Sequence, residues 1–258
     1  MKLIKKRVNK KAQLTIFIIL ALLIAVVMIL LFSNKNNFST FFSKKSPIND
    51  IEKCFRDSSK EALELINKQG GSINPENYYL YQDQKIDYIC YTGEYYKQCI
   101  MQKPLLKQSI QKEIKNYLEP KINTCVETMT QSLEEDGYIV TFKKPDVNIE
   151  MFSDELIINT YLDLVITKDG TESYKNLKIS LDTQLYNFIM TASSIANWEA
   201  RYGDSETLNY MFYYPQMKVE KKTRSDGTRI YILTDRESQE KFNFATRSVA
   251  LPSGITGK

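Results

Sequence analysis

Cys54, Cys90, Cys99 and Cys125 carry the richest chemistry in this 258-residue chain. Four cysteines can form two disulfides in any of three connectivities, remain as buried free thiols, or bind a metal. Zinc would need an all-cysteine site of odd spacing, because no C-x-x-C pair occurs and the chain has no histidine. That second absence also removes Ser-His-Asp triads, Cys-His dyads and every imidazole acid–base step. G-x-S-x-G, G-x-G-x-x-G and a complete Walker A sequence are missing, and the terminal Gly-Ile-Thr-Gly-Lys echoes only part of the last. The catalytic options left are a Ser-Lys dyad and a pair of carboxylates. Glu134, Glu135 and Asp136 form the densest acidic cluster, but neighbours at a helix end face solvent. Asp169 and Asp226 each precede a glycine and are explained by turns. No catalytic, cofactor-binding or metal-ligating residue is assigned, and the reading is of a protein that is not an enzyme. The alternative is a hydrolase using a histidine-free Ser-Lys or carboxylate site.

The placement of these cysteines depends on residues 14–32, an apolar run without a charge. As a helix it would be roughly 28 Å long, matching a hydrocarbon core of about 30 Å, and it is read as a transmembrane helix. Residues 1–13 carry Lys2, Lys5, Lys6, Arg7, Lys10 and Lys11 and no acid, the mark of a tail that stays in the cytoplasm. Everything after the span is then extracytoplasmic, where disulfides are permitted. A cleaved secretory signal competes with this reading, but the run is long for one and lacks a small-x-small cleavage site. Of 35 basic and 31 acidic residues, the tail accounts for six cations, leaving 29 against 31. That balance argues against a nucleic-acid surface. The partners expected are the lipid bilayer and proteins on the cell surface, with no small-molecule substrate indicated.

Residues 33–46 form a polar linker with Phe38, Phe41 and Phe42, and Asn37 opens an N-F-S tripeptide that is a glycosylation candidate. From Pro47, Ile48, Ile51, Phe55, Ser58, Ala62 and Leu65 recur at helical spacing until Gly70-Gly71. A second helix is expected over 104–136, with Pro120 kinking or splitting it. The segment I-N-T-C-V-E at Ile122 echoes I-E-K-C-F-R at Ile51, which places each cysteine three residues past an isoleucine. Packing of the two helices would pair Cys54 with Cys125 and leave Cys90 with Cys99, where Thr92-Gly93-Glu94 lets a hairpin join them. Tyr78, Tyr79, Tyr81, Tyr88, Tyr91, Tyr95 and Tyr96 crowd the intervening stretch. They suit either a recognition surface or a strand pair with one buried face.

After Gly137 the period falls to about two, marking strands over 138–142 and 147–151 with a turn between them. Strands over 156–167 and 174–181 flank Asp169-Gly170, and 217–222 and 229–233 flank Ser225-Asp226-Gly227. Helices are expected over 182–202 and 205–213, and a last strand over 241–247.

Two resemblances bear on this organisation. K-K-A-Q-L-T-I-F at Lys10–Phe17 resembles the leader of archaeal type IV pilin-like precursors, which implies cleavage between Ala12 and Gln13. Phe17 stands where such proteins usually carry Glu. The Cys54 segment, ending Gln69-Gly70-Gly71, together with F-N-F-A-T-R at Phe242–Arg247, is similar to archaeal single-span membrane proteins without an assigned activity. The chain as a whole reads as α+β: an N-terminal transmembrane helix, then a helix-rich segment packed with a mainly antiparallel sheet. Its expected parts are a Cys-bearing helical subdomain with a hairpin (47–136), an α+β subdomain (137–250) and a tail (251–258). The expected role is a membrane-anchored extracytoplasmic interaction or envelope component, pilin-like in its leader.

Overall fold

The computed structural model describes residues 20–24 and 47–252. Residues 20–24 are helical. The rest of the expected span, the basic tail, the Ala12–Gln13 junction and the linker bearing Asn37 lie outside the described residues. Among the described residues no helix is long and apolar enough to cross a membrane. Residues 1–46 and 47–258 are separate compact units, and the second carries both sheets and all four cysteines.

Helix α1 (Pro47–Lys68) places Asp50 in its first turn and Lys68 in its last, each favourable to the helix dipole. Its buried stripe is Ile51, Phe55, Ser59, Ala62 and Ile66, one position on from the expected Ser58 and Leu65. Buried Ser59 is satisfied by donating to the Phe55 carbonyl at 2.6 Å. Gly71 ends the helix at φ +88°, and a Cβ there would meet Ile110 Cδ1 at 2.6 Å, so only glycine lets the next helix approach.

That next helix, α2 (Leu106–Glu135), buries Leu106, Ile110, Ile114, Leu118, Ile122 and Val126. It runs through Pro120 as one element, so of the expected kink or split the split does not occur. Pro120 is on the exposed face, where the lost backbone donor is least costly. The two helices pack together and are joined by Cys54–Cys125 (Cα–Cα 6.2 Å), with Lys121 donating to Glu61 at 2.6 Å beside it.

A six-stranded sheet gathers β1 (Tyr78–Tyr81), β2 (Gln84–Tyr91) and β3 (Ile100–Met101) with β8 (Met217–Thr223), β9 (Thr228–Asp235) and β10 (Lys241–Arg247). Its order is β1-β2-β10-β9-β8, with β3 also paired to β2. The β2–β10 contact is parallel, Ala245 opposite Tyr88, while the other pairings in this sheet are antiparallel. The expected subdomains 47–136 and 137–250 therefore share a sheet, and the division at residue 136 is crossed by a strand pair. The reason is that β10 needs a partner on the edge that β9 leaves open, and β2 supplies it.

The second sheet is centred on β6 (Glu155–Thr167). Strand β7 (Thr171–Asp182) covers one edge of it, while β4 (Ile139–Thr141) and β5 (Asp146–Met151) lie end to end on the other. Asp163 has φ +44° where the β6–β7 register shifts between Tyr161 and Leu164, a bulge that coincides with the Lys143-Lys144-Pro145 break between β4 and β5. Lys143 reaches across and donates to Asp163 at 2.7 Å. Helix α3 (Leu185–Tyr202) places Leu185, Phe188, Ile189, Ala192, Ile195 and Ala196 in the core shared with both sheets and both long helices. Its first turn is capped from a distance: Glu240 accepts from the Gln184 N–H at 2.7 Å, from Thr183 and from Asn67. The architecture is α+β with mainly antiparallel pairing.

Candidate functional site

The helix that seals the core has a second face. Tyr186, Met190, Ser194, Trp198 and Tyr202 follow one another at four-residue steps along α3 and look away from the buried stripe. Trp198 is 51 % exposed and Tyr202 65 %, with ring centroids 4.8 Å apart. Facing them is α4 (Thr207–Tyr213), capped by the Glu206 carboxylate accepting from the Leu208 N–H at 3.1 Å. Not one residue of α4 is buried. Phe212 and Tyr213 are 79 % and 74 % exposed, and Leu208 and Tyr214 are also open to solvent. Single exposed apolar residues are ordinary, but a contiguous aromatic surface marks a place of contact.

Between the helices lies a groove of about 890 Å³. Its walls are Tyr186, Met190 and Trp198 from α3 and Asn209, Tyr210 and Tyr213 from α4, with Tyr214 and Gln216, just after α4, also in the lining. Buried Thr191, Ser205 and Met217 lie deepest. The Ser194 and Tyr210 hydroxyls bond across it at 2.9 Å, tying wall to wall. The lining holds one ionisable acid, Glu206, and no lysine or arginine.

The walls are held at a fixed separation by a buried network behind α3. Glu199 is fully buried; one carboxylate oxygen accepts from Tyr231 and the other pairs with Arg229 at 2.7 Å. Burial pushes the Glu199 carboxyl above its ordinary range, against the hydrogen bond from Tyr231 and the charge of Arg229. Burial and the facing carboxylate push the Tyr231 phenol up as well. Gly203 ends α3 at φ +79°, where a Cβ would meet Val249 Cγ2 at 2.2 Å. The chain then turns through Asp204, which accepts from Lys221 at 2.8 Å, into α4. The network has both Glu199 oxygens occupied and away from the groove lining, so it is a clamp and not an acid–base pair.

The residues singled out from the sequence fall elsewhere. The disulfides are Cys54–Cys125 and Cys90–Cys99, the latter spanning the turn from β2 to β3 with Cα atoms 5.4 Å apart. Glu134, Glu135 and Asp136 end α2 in solvent. Asp226 accepts from the Thr228 N–H and hydroxyl at 3.0 and 2.9 Å, which is turn chemistry. The nearest approach to a Ser-Lys pair at the groove is Lys221 with Ser205, but the ammonium donates to the Ser205 carbonyl at 2.9 Å and to Asp204. The Ser205 hydroxyl itself is buried without a partner. Among the described residues no group of three His, Cys, Asp or Glu could hold a metal ion.

The tyrosine crowd divides. Tyr79, Tyr81 and Tyr91 pack on Ile86, Tyr88 and Ala245 as a small second apolar cluster, while Tyr78, Tyr95 and Tyr96 are exposed. Tyr88 bonds Thr228 at 2.7 Å, and burial pushes its phenol up to about 12. Sequence periodicity misses the groove residues because it finds the buried face of α3 and passes over the other. The signal is present in the chain's sole tryptophan and in the run Tyr210-Met211-Phe212-Tyr213-Tyr214. No family model, curated protein or solved structure matches the chain, so its function is argued from the groove itself.

Proposed function

We propose that the chain is a membrane-anchored extracytoplasmic protein that makes non-enzymatic contacts on the cell surface, as an envelope or pilin-like component, through the groove between α3 and α4. The observation that carries this reading is the aromatic surface of α4, a helix that buries none of its own residues. Leaving several large rings in water forgoes roughly 1.5–3 kcal/mol each that burial would return, a cost that a docking partner removes. Two disulfides suit an oxidising compartment, and the cationic residues before the apolar run 14–32 suit a tail retained in the cytoplasm.

The test is protease treatment of intact cells carrying the full chain with an epitope after Lys258. Loss of the epitope without lysis is the expected result, and protection until the membrane is opened would refute the placement. A photocrosslinking residue at Tyr213 tests the contact surface, and crosslinked product at that position but not at exposed Lys178, on β7, is the result expected.

A further inference from the structure

The groove's free hydrogen-bonding groups specify its ligand more narrowly than its rings do. We infer that it binds a neutral carbohydrate chain, with sugar rings laid on Trp198 and Tyr213 and their hydroxyls taken up by Asn209 and Gln216. The inference rests on the reading of this groove as the contact surface and supplies its ligand class.

Rings and amides both line the groove. The side-chain amides of Asn209 and Gln216 and the hydroxyls of Tyr213 and Tyr214 have no hydrogen-bond partner among the described residues, and all four side chains are exposed. Primary amides donate and accept at once, as does a phenol, and this matches a ligand whose own groups do both, as sugar hydroxyls do. Pyranose rings present an apolar C–H face and a polar rim, which suits an aromatic face beside an amide.

Charge excludes the other ligands. Without a lysine or arginine in the lining, phosphates, sulfates and acidic peptides have nothing to neutralise them. With Glu206 as its one carboxylate, already accepting from Leu208, the lining lacks the acids that a basic peptide needs. A purely apolar peptide helix would bury Asn209 and Gln216 without partners, which costs more than their solvation in the empty groove. The volume of about 890 Å³ is near the top of the ~300–1,000 Å³ seen for ligand clefts, room for several sugar rings in line.

The sole tryptophan makes the experiment direct, since all indole fluorescence reports on the groove. The full chain is placed in lipid nanodiscs, so that no sugar-headed detergent competes, and titrated with neutral hexasaccharides of glucose, mannose, galactose and N-acetylglucosamine. A saturable change with at least one, unaffected by roughly 0.5 M salt, is expected for an uncharged ligand. Replacing both Asn209→Ala and Gln216→Ala should weaken it by about tenfold, with the melting curve unchanged because neither side chain has an intramolecular partner. Lys178→Ala, on the exposed face of β7 and outside the groove lining, should leave the affinity unaltered.

Absence of a saturable response to every hexasaccharide would overturn the inference, as would a response insensitive to the double variant. Saturable binding of an amphipathic apolar peptide in place of the sugars would assign the groove to protein instead. None of these outcomes bears on surface placement, which intact-cell proteolysis decides separately.

Discussion

Removing the disulfide between α1 and α2 tests how the two helices are held. The perturbation is Cys54→Ala with Cys125→Ala, and the comparison is Cys90→Ala with Cys99→Ala. The first bridge joins residues 71 apart and the second joins residues 9 apart. Chain-entropy reasoning then assigns about 4.4 kcal/mol to the long loop and about 2.6 kcal/mol to the short one at 25 °C. Packing modifies both values. Cys54 is only half-buried, and Ile51, Phe55 and Ile66 still meet Leu118, Ile122 and Val126 in one core, so the long-loop variant should fold. Cys90 and Cys99 are buried, and their loss adds a small cavity cost to the short-loop figure. Urea unfolding without reductant provides the assay. The long-loop variant should lose the greater stability and show the larger rise in denaturant slope, because its unfolded chain expands more. A loss below about 1 kcal/mol for the long loop, with an unchanged slope, would refute the argument.

Three further outcomes are expected from the same structure. Glu199→Ala leaves the buried Tyr231 hydroxyl without its partner and takes from Arg229 its nearest carboxylate, leaving it the Ser248 carbonyl at 2.9 Å and Asp204 at 3.6 Å, and should cost about 3 kcal/mol, whereas Glu52→Ala, which opens an exposed pair with Arg56, should cost about 0.5 kcal/mol or less; thermal melts that rank them equally would contradict the clamp. Pro120→Ala should stabilise by up to about 3 kcal/mol, because α2 is helical through an exposed proline whose ring and missing donor only oppose it; a lowered melting temperature would show that the proline is needed for the shape of α2. The third outcome concerns pH. Partial burial pushes the Asp204 carboxyl up, but Lys221, the Ser205 N–H and the charge of Arg229 outweigh it and hold it below the ordinary carboxylate range. With the folded value below the unfolded one, its contribution is present above the ordinary carboxylate pKa and lost as pH falls through the folded value. Asp204→Asn should therefore flatten the acid limb of melting temperature below about pH 5, where the unfolded carboxylate begins to take up protons, and leave the slope between about pH 7 and pH 5 unchanged. Glu199, raised by burial, contributes the opposite slope: its share is lost as pH rises through its folded value. An acid limb unchanged by Asp204→Asn would remove Asp204 from the network.

Local periodicity reveals most of the elements and little of their assembly. Ile51 and Phe55, or Ile110 and Ile114, repeat at helical steps because a helix buries a stripe, and the hairpins at Asp169-Gly170 and Asp226-Gly227 need only their turn residues. The Cys54–Cys125 bond is legible because both cysteines hold the same place relative to an isoleucine on a buried stripe. The parallel union of β2 with β10 joins Tyr88 to Ala245 and leaves no periodic trace, since each strand alternates as it would beside any neighbour. The same holds for β4 and β5, which read as two strands with a turn between them and give no sign that both pair with one edge of β6. The groove is hidden for another reason. Trp198 and Tyr202 lie on the face of α3 that a search for core residues discards, and Phe212 and Tyr213 look apolar enough to be buried although they are not.

Intact-cell proteolysis is the most direct test of the placement, because the two disulfides are expected to persist only if residues 47–252 lie outside the cytoplasm. Protease should remove an epitope placed after Lys258 from unlysed cells and leave a membrane-retained fragment that keeps the apolar run 14–32. An epitope that survives until the membrane is permeabilised, accompanied by four alkylatable thiols in acid-quenched cells, would contradict that placement.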